Sequence, residues 1–205
     1  MDQLQETYLF PTIVYSVDKP EFLMPVSIVI DRYLREKSSK IDRFVTMTAD
    51  FSAEPEIEEF AQYVSQTAWN ILDSQGHDMS KLVTYFQEMW AQEHSQYSGM
   101  DQHAHGVGSQ ISAFYFTAVP AWSSSMVIYD PRPAKVITSL PLKEGDHLAR
   151  QQLVFNPKPG MLVLTPAWLP HSFTRHMGEA PLVFVHMNLS VAPAPEAVQP
   201  EVEIV

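Results

Sequence analysis

Two histidines two positions apart, His103 and His105, stand in the stretch GMDQHAHGVGSQISAFYF, just ahead of a β-like run. On an extended segment residues i and i+2 face the same way, so both imidazoles can meet one ion. A lone His-x-His is more often a pair of polar surface residues, and a third histidine shifts the balance. In PKPGMLVLTPAWLPHSF, Gly160 opens an apolar strand, Pro166 and Pro170 shape a turn, and His171 begins the next strand-like stretch. Imidazole ligands suit iron, zinc, copper or nickel, and a facial site with open positions on non-heme iron is the version that activates oxygen.

That iron site ordinarily has two histidines and one carboxylate. The residue two beyond His103 is a histidine, so a carboxylate is missing where it would first be sought. Asp130, in MVIYDPRP, is the best alternative: it ends a strand-like run and could ligate directly or orient a ligating ring from behind. Asp-Pro is equally a common turn starter.

Distant segments must be brought to one mouth for these residues to meet, and the elements that would do so are mostly strands. From residue 82 onward there are eight short strand-like runs: LVTYFQEMWAQEH, SQISAFYFTAV, SSMVIYD, AKVITSL, QQLVFN, MLVLTPAW, HSFTRHM and PLVFVHMNLSV. With no helical pattern between them they indicate an antiparallel sandwich or barrel, and a jelly roll, the double-stranded β-helix, uses eight strands. Ahead of them, apolar residues at Ile57, Phe60, Ala61, Val64, Ala68, Ile71 and Leu72 predict a helix over 54–73, with acidic residues at its start and Gly76 beyond its end. YLFPTIVY (8–15) reads as an edge strand interrupted by Pro11, and PVSIVIDRYLREK as a strand or short helix. The expected organisation is one mainly β domain with flanking helices over 1–190, then a Pro/Ala/Glu-rich tail over 191–205.

Composition limits the function classes. The formal charge of −11 over 205 residues argues against nucleic acid as a partner, because its backbone demands clustered Lys and Arg. The absence of cysteine excludes disulfides, zinc knuckles, iron–sulfur clusters and thiol nucleophiles, and fits a reducing cytoplasm. The N-terminal stretch is unlike a basic signal peptide, and no apolar run approaches the roughly 18 residues needed to span a bilayer, so no membrane role is expected. Oligomeric state is not legible.

The segments YLFPT, FQEMW, QHAHGVGSQISAFYF, VIYDPRP, PGMLVLTPAWLPHSF and MNLS resemble, in order, the 2-oxoglutarate- and iron(II)-dependent oxygenases of marine phage and bacteria, relatives of prolyl 4-hydroxylases. The likeness spans most of residues 8–191. It implies a double-stranded β-helix, cupin-like fold that binds Fe(II) and 2-oxoglutarate and hydroxylates a peptidyl or small-molecule substrate, releasing succinate and CO2. It also implies that His103 and His171 ligate the metal, and that His105 occupies the place where the wider superfamily has Asp or Glu. Two models follow: a three-histidine site, or one completed by Asp130.

Relatives carry an arginine near the start of the final strand to pair the distal carboxylate of 2-oxoglutarate, whereas Leu182 stands near that place. Arg175 and Arg132 are the substitutes to consider, with Tyr115 and Asn188 as hydrogen-bonding partners of the cosubstrate. His186 alternates with apolar Val185 and Met187 on the last strand, so it could face the pocket, though it reads first as a core histidine; His77, His94, His147 and His176 read as surface residues. Trp90, Trp122 and Trp168 are core, rim or mouth residues. The missing cation leaves two other classes open: a three-histidine metal enzyme that does not use 2-oxoglutarate, and a non-catalytic jelly-roll binding module.

Overall fold

A computed structural model describes residues 5, 7, 9–37, 45–132, 140–144 and 149–195. Two helices and ten strands run in the order β1 (Tyr15–Asp18), α1 (Leu23–Lys37), β2 (Val45–Met47), α2 (Glu58–Ser74), β3 (Leu82–His94), β4 (Met100–His103), β5 (Ile111–Ala118), β6 (Met126–Tyr129), β7 (Gln152–Phe155), β8 (Met161–Pro166), β9 (His171–Phe173) and β10 (Leu182–Pro193). The strands form a six-stranded sheet, ordered β1-β8-β5-β10-β3-β2, and a four-stranded sheet, ordered β4-β9-β6-β7. From β3 the chain passes back and forth between the sheets, the winding of a jelly roll, and every pairing is antiparallel.

Strand alternation divides the large sheet into two faces. Along β10, Val183, Val185, Met187 and Leu189 join a core with α1 and α2, while Leu182 and Phe184 join a second core shared with the small sheet. α2 earns its place by helical periodicity: Phe60, Val64, Ala68, Ile71 and Leu72 are buried on one side. A 3-10 turn over Pro55–Ile57 takes up the expected first residues, so the helix begins at Glu58, with Glu58 and Glu59 at the positive end of its dipole. Gly76, beyond the end, has φ +96°, which suits glycine.

The ambiguous 25–37 segment is helical. Val26, Val29 and Ile30 are buried at helix spacing, and this burial outweighs their β-branched preference, while Pro25 sits in the first turn, where its missing N–H costs little. The expected strand over 8–15 is corrected: only Tyr15 belongs to β1, and Leu9 and Phe10 are exposed. Proline lacks the N–H that a ladder needs, and pairing starts beyond it, with Tyr15 opposite Leu164. Seven of the eight strand-like runs become β3 and β5 to β10, whereas AKVITSL lies, except for Leu140, outside the described residues.

His94 and His176 are buried, not surface residues. His94 Nε2 meets Gln92 Oε1 at 3.2 Å, and His176 Nε2 meets the Ala180 carbonyl at 2.8 Å. Local spacing carries no signal of such tertiary burial. His77 is exposed, and His147 lies outside the described residues.

Candidate metal centre

His103 ends β4 and His171 begins β9, and the two are cross-strand partners in the small sheet. His105 follows β4, tethered by its N–H to the Ala167 carbonyl at 2.9 Å, in the turn that leads to His171. One ring nitrogen from each of the three histidines lies within 4.8 Å of the other two. His105 Nε2 and His171 Nε2 are 3.3 Å apart. Ligand nitrogens at about 2.0–2.1 Å from a metal stand roughly 3.0–3.4 Å from their neighbours, so this spacing suits a shared ion.

Two rings are oriented for ligation from behind. His103 Nδ1 lies 2.8 Å from the Asp101 carbonyl and His171 Nδ1 lies 3.0 Å from the Leu169 carbonyl. A carbonyl only accepts, so in the neutral rings the proton sits on Nδ1 and Nε2 keeps its lone pair for a metal. Burial pushes His171 and His105 down to about 4, and the neighbouring histidines add to the effect. The rings are therefore uncharged near neutrality, the form that binds metal.

The large sheet faces this cluster with a polar row. Glu88, Asn188, Ser112 and Thr165 are successive neighbours across β3, β10, β5 and β8. Asn188 donates to Glu88 Oε1 at 2.5 Å and meets His105 Nδ1 at 3.1 Å, while Ser112 Oγ donates to Asn188 Oδ1 at 2.6 Å. One row deeper, His186 lies tilted against Trp90, ring centroids 4.6 Å apart, and brings its Nε2 to 3.2 Å from that of His105. Beyond it the space between the sheets is filled by rings, among them Phe173 and Phe184 stacked at 4.7 Å. Trp90 Nε1, Thr165 Oγ1 and His186 Nδ1 are buried without a hydrogen-bond partner among the described residues. Such orphans are rare unless a ligand or water completes them.

The other residues singled out by sequence lie elsewhere. Asp130, just past β6, chelates the Arg132 side chain, Nε to Oδ1 at 2.9 Å and a terminal nitrogen to Oδ2 at 2.8 Å, and is not in the clustered triad. Both line a cleft of about 460 Å3 with Phe10, Tyr129, Arg150 and Leu169, adjoining the His171 turn. Arg175 is exposed after β9. Tyr115 faces the helices and donates to the Lys19 carbonyl at 2.7 Å, on the opposite side of the large sheet from the histidines. Asn188 alone of the four proposed cosubstrate contacts touches the cluster. Trp122 and Trp168 are exposed, and Trp90 is at the site. Sequence reasoning passed over Glu88 and Thr165; the alternation of β10 allowed His186 to face the pocket, but the core reading preferred for it is corrected by its contact with His105.

Residues 88–188 match a family model described as "Putative 2OG-Fe(II) oxygenase". No curated protein is a detectable relative by sequence. Among solved structures the chain is similar to the alpha-ketoglutarate-dependent carbocyclase SnoK of nogalamycin biosynthesis, at TM-score 0.64 and 11% identity, with 93% of this chain and 85% of that one covered. A Pseudomonas putida prolyl-4-hydroxylase gives 0.59 and 10%, covering 87% and 93%. The viral collagen prolyl hydroxylase of Paramecium Bursaria Chlorella virus-1, solved with 2OG, gives 0.57 and 10%, covering 86% and 94%. At such identities these likenesses speak for the fold, a double-stranded β-helix.

Proposed function

This chain belongs to the 2OG-Fe(II) oxygenases, and we propose that it uses Fe(II) and 2-oxoglutarate to hydroxylate a carbon of a peptidyl or small-molecule substrate, with succinate and CO2 as coproducts. The carrying observation is the convergence of His103, His105 and His171 at one mouth, two of them already in the ligand tautomer. When bound, the metal and the oxoacid supply oxygen activation, and the chain supplies position and a dry pocket.

His103 and His171 hold the metal in this reading, and His105 is the third candidate ligand. The unpartnered Trp90 N–H and Thr165 O–H fit a ligand with acceptor oxygens beside the metal. The inward residues of β10 are Leu182, Phe184, His186, Asn188 and Ser190, with no arginine or lysine among them. A carboxylate there would thus be met by neutral donors rather than by a guanidinium. The packed rings of Phe114, Phe116, Phe173 and Phe184 exclude water behind the site. The cleft beside Leu169 and Tyr129 offers the substrate an approach to His171. No helix among the described residues is long and apolar enough to cross a membrane.

Anaerobic titration with Fe(II) and then 2-oxoglutarate tests the reading. A metal-to-ligand charge-transfer band, and succinate on admitting air, are expected. Iron binding with neither band nor succinate would favour instead a three-histidine enzyme that does not use 2-oxoglutarate, the alternative to which buried Leu182 lends weight.

A further inference from the structure

His105 differs from its two neighbours in what stands behind it. Its Nδ1 faces not a carbonyl but the side-chain nitrogen of Asn188 at 3.1 Å. The same nitrogen is 2.5 Å from Glu88 Oε1, and the amide oxygen takes the Ser112 hydroxyl at 2.6 Å. A carboxylate only accepts, so Glu88 dictates which end of the amide points its way, and that end also faces His105. An N–H directed at Nδ1 requires a lone pair there, which leaves the ring proton of His105 on Nε2. That Nε2 has two imidazole nitrogens within reach, His186 Nε2 at 3.2 Å and His171 Nε2 at 3.3 Å, and the second carries a lone pair because the Leu169 carbonyl holds the His171 proton on Nδ1.

We propose that Glu88, acting through Asn188, is a positioning residue that selects the ring tautomer of His105 and so decides whether His105 can ligate. It rests on the metal reading of the cluster and goes beyond it. The carboxylate that a two-histidine, one-carboxylate site carries on the metal stands here two hydrogen bonds away. In the selected tautomer His103 and His171 offer lone pairs and His105 offers a proton. Ligation by His105 requires its proton to move to Nδ1 and the Asn188 amide to turn its oxygen towards the Glu88 carboxylate. Outer partners of this kind change metal affinity by roughly 10–100-fold.

The test is nitrogen-15 NMR of the imidazole rings in the metal-free protein, joined to Zn(II) titration. His105 is expected to show protonated Nε2 and bare Nδ1, with His103 and His171 the reverse. The double variant Glu88→Gln/Asn188→Asp exchanges donor and acceptor along the chain. It is expected to turn the His105 pattern into that of His171 and to tighten Zn(II) binding about tenfold or more. Unchanged His103 and His171 signals certify the fold. A parent protein whose His105 carries its proton on Nδ1, or a double variant that leaves that ring unchanged, overturns the proposal. If the tautomers are as stated but Zn(II) and Fe(II) do not bind, the metal reading fails and only the tautomer selection stands.

Discussion

The two faces of the six-stranded sheet are made from the same strands and do opposite work. Towards the helices, β10 presents Val183, Val185, Met187 and Leu189, all buried in the apolar core shared with α1 and α2, so the face is held largely by area removed from water. Towards the small sheet the same strand presents Leu182, Phe184, His186, Asn188 and Ser190, a passage from apolar to polar that ends at the histidine mouth. Alternation thus lets one strand serve stability and chemistry without compromise, because successive residues never share a face. The contrast predicts that the faces can be damaged separately.

The largest effect belongs to the inner face. His171→Ala is expected to lower Fe(II) affinity by more than about a hundredfold, beyond the range of outer-shell changes, and to abolish succinate formation while thermal unfolding of the metal-free protein stays cooperative. A variant that binds iron like the parent would break the comparison. The outer face should behave conversely. Phe60→Ala removes a fully buried ring packed 4.8 Å from Tyr115 and is expected to cost about 3–5 kcal/mol in urea unfolding, with metal affinity of the folded fraction unaltered.

Acid should distinguish the faces next. His94 and His171 face inward, and burial pushes each down to about 4. Their neutral forms are favoured by folding, so this contribution is complete above the unfolded value near 6.5 and is lost as pH falls towards about 4. Metal-free protein should lose about 2 kcal/mol per such histidine between pH 6.5 and 5, read from urea midpoints. Phe60→Ala should keep that slope, and His94→Leu should flatten it. The smallest effect belongs to neither face: Lys158 and Asp18 pair at 2.6 Å with both side chains more than half exposed, and Lys158→Ala should change stability by less than about 1 kcal/mol.

What was legible in the sequence followed local periodicity. α2 announced itself by five buried residues at helical spacing, and the histidine types and spacing pointed to a grouping that the fold completes, one ring nitrogen from each of three histidines lying within 4.8 Å of the others. β2 and β4 lack an apolar run: Val45 and Met47 flank Thr46, and Met100 is followed by Asp101 and Gln102, so neither rises above its polar surroundings. The partners of His105 were hidden for a different reason: Glu88 and Asn188 are a hundred positions apart and meet only because β3 and β10 pair in register. Cross-strand register is decided by the whole sheet, so no window of sequence contains it.

β10 lies between β3 and β5 in the large sheet, and neither of those strands pairs with the other. On the ribosome β3 and β5 emerge long before the strand that joins them, so each presents an unsatisfied edge while the chain is still growing. The histidine mouth cannot gain its facing wall until residues 182–193 thread into that gap. Closure of the histidine cluster thereby waits on that strand, and a nascent chain that already holds His103, His105 and His171 presents them in a looser arrangement than the folded molecule does.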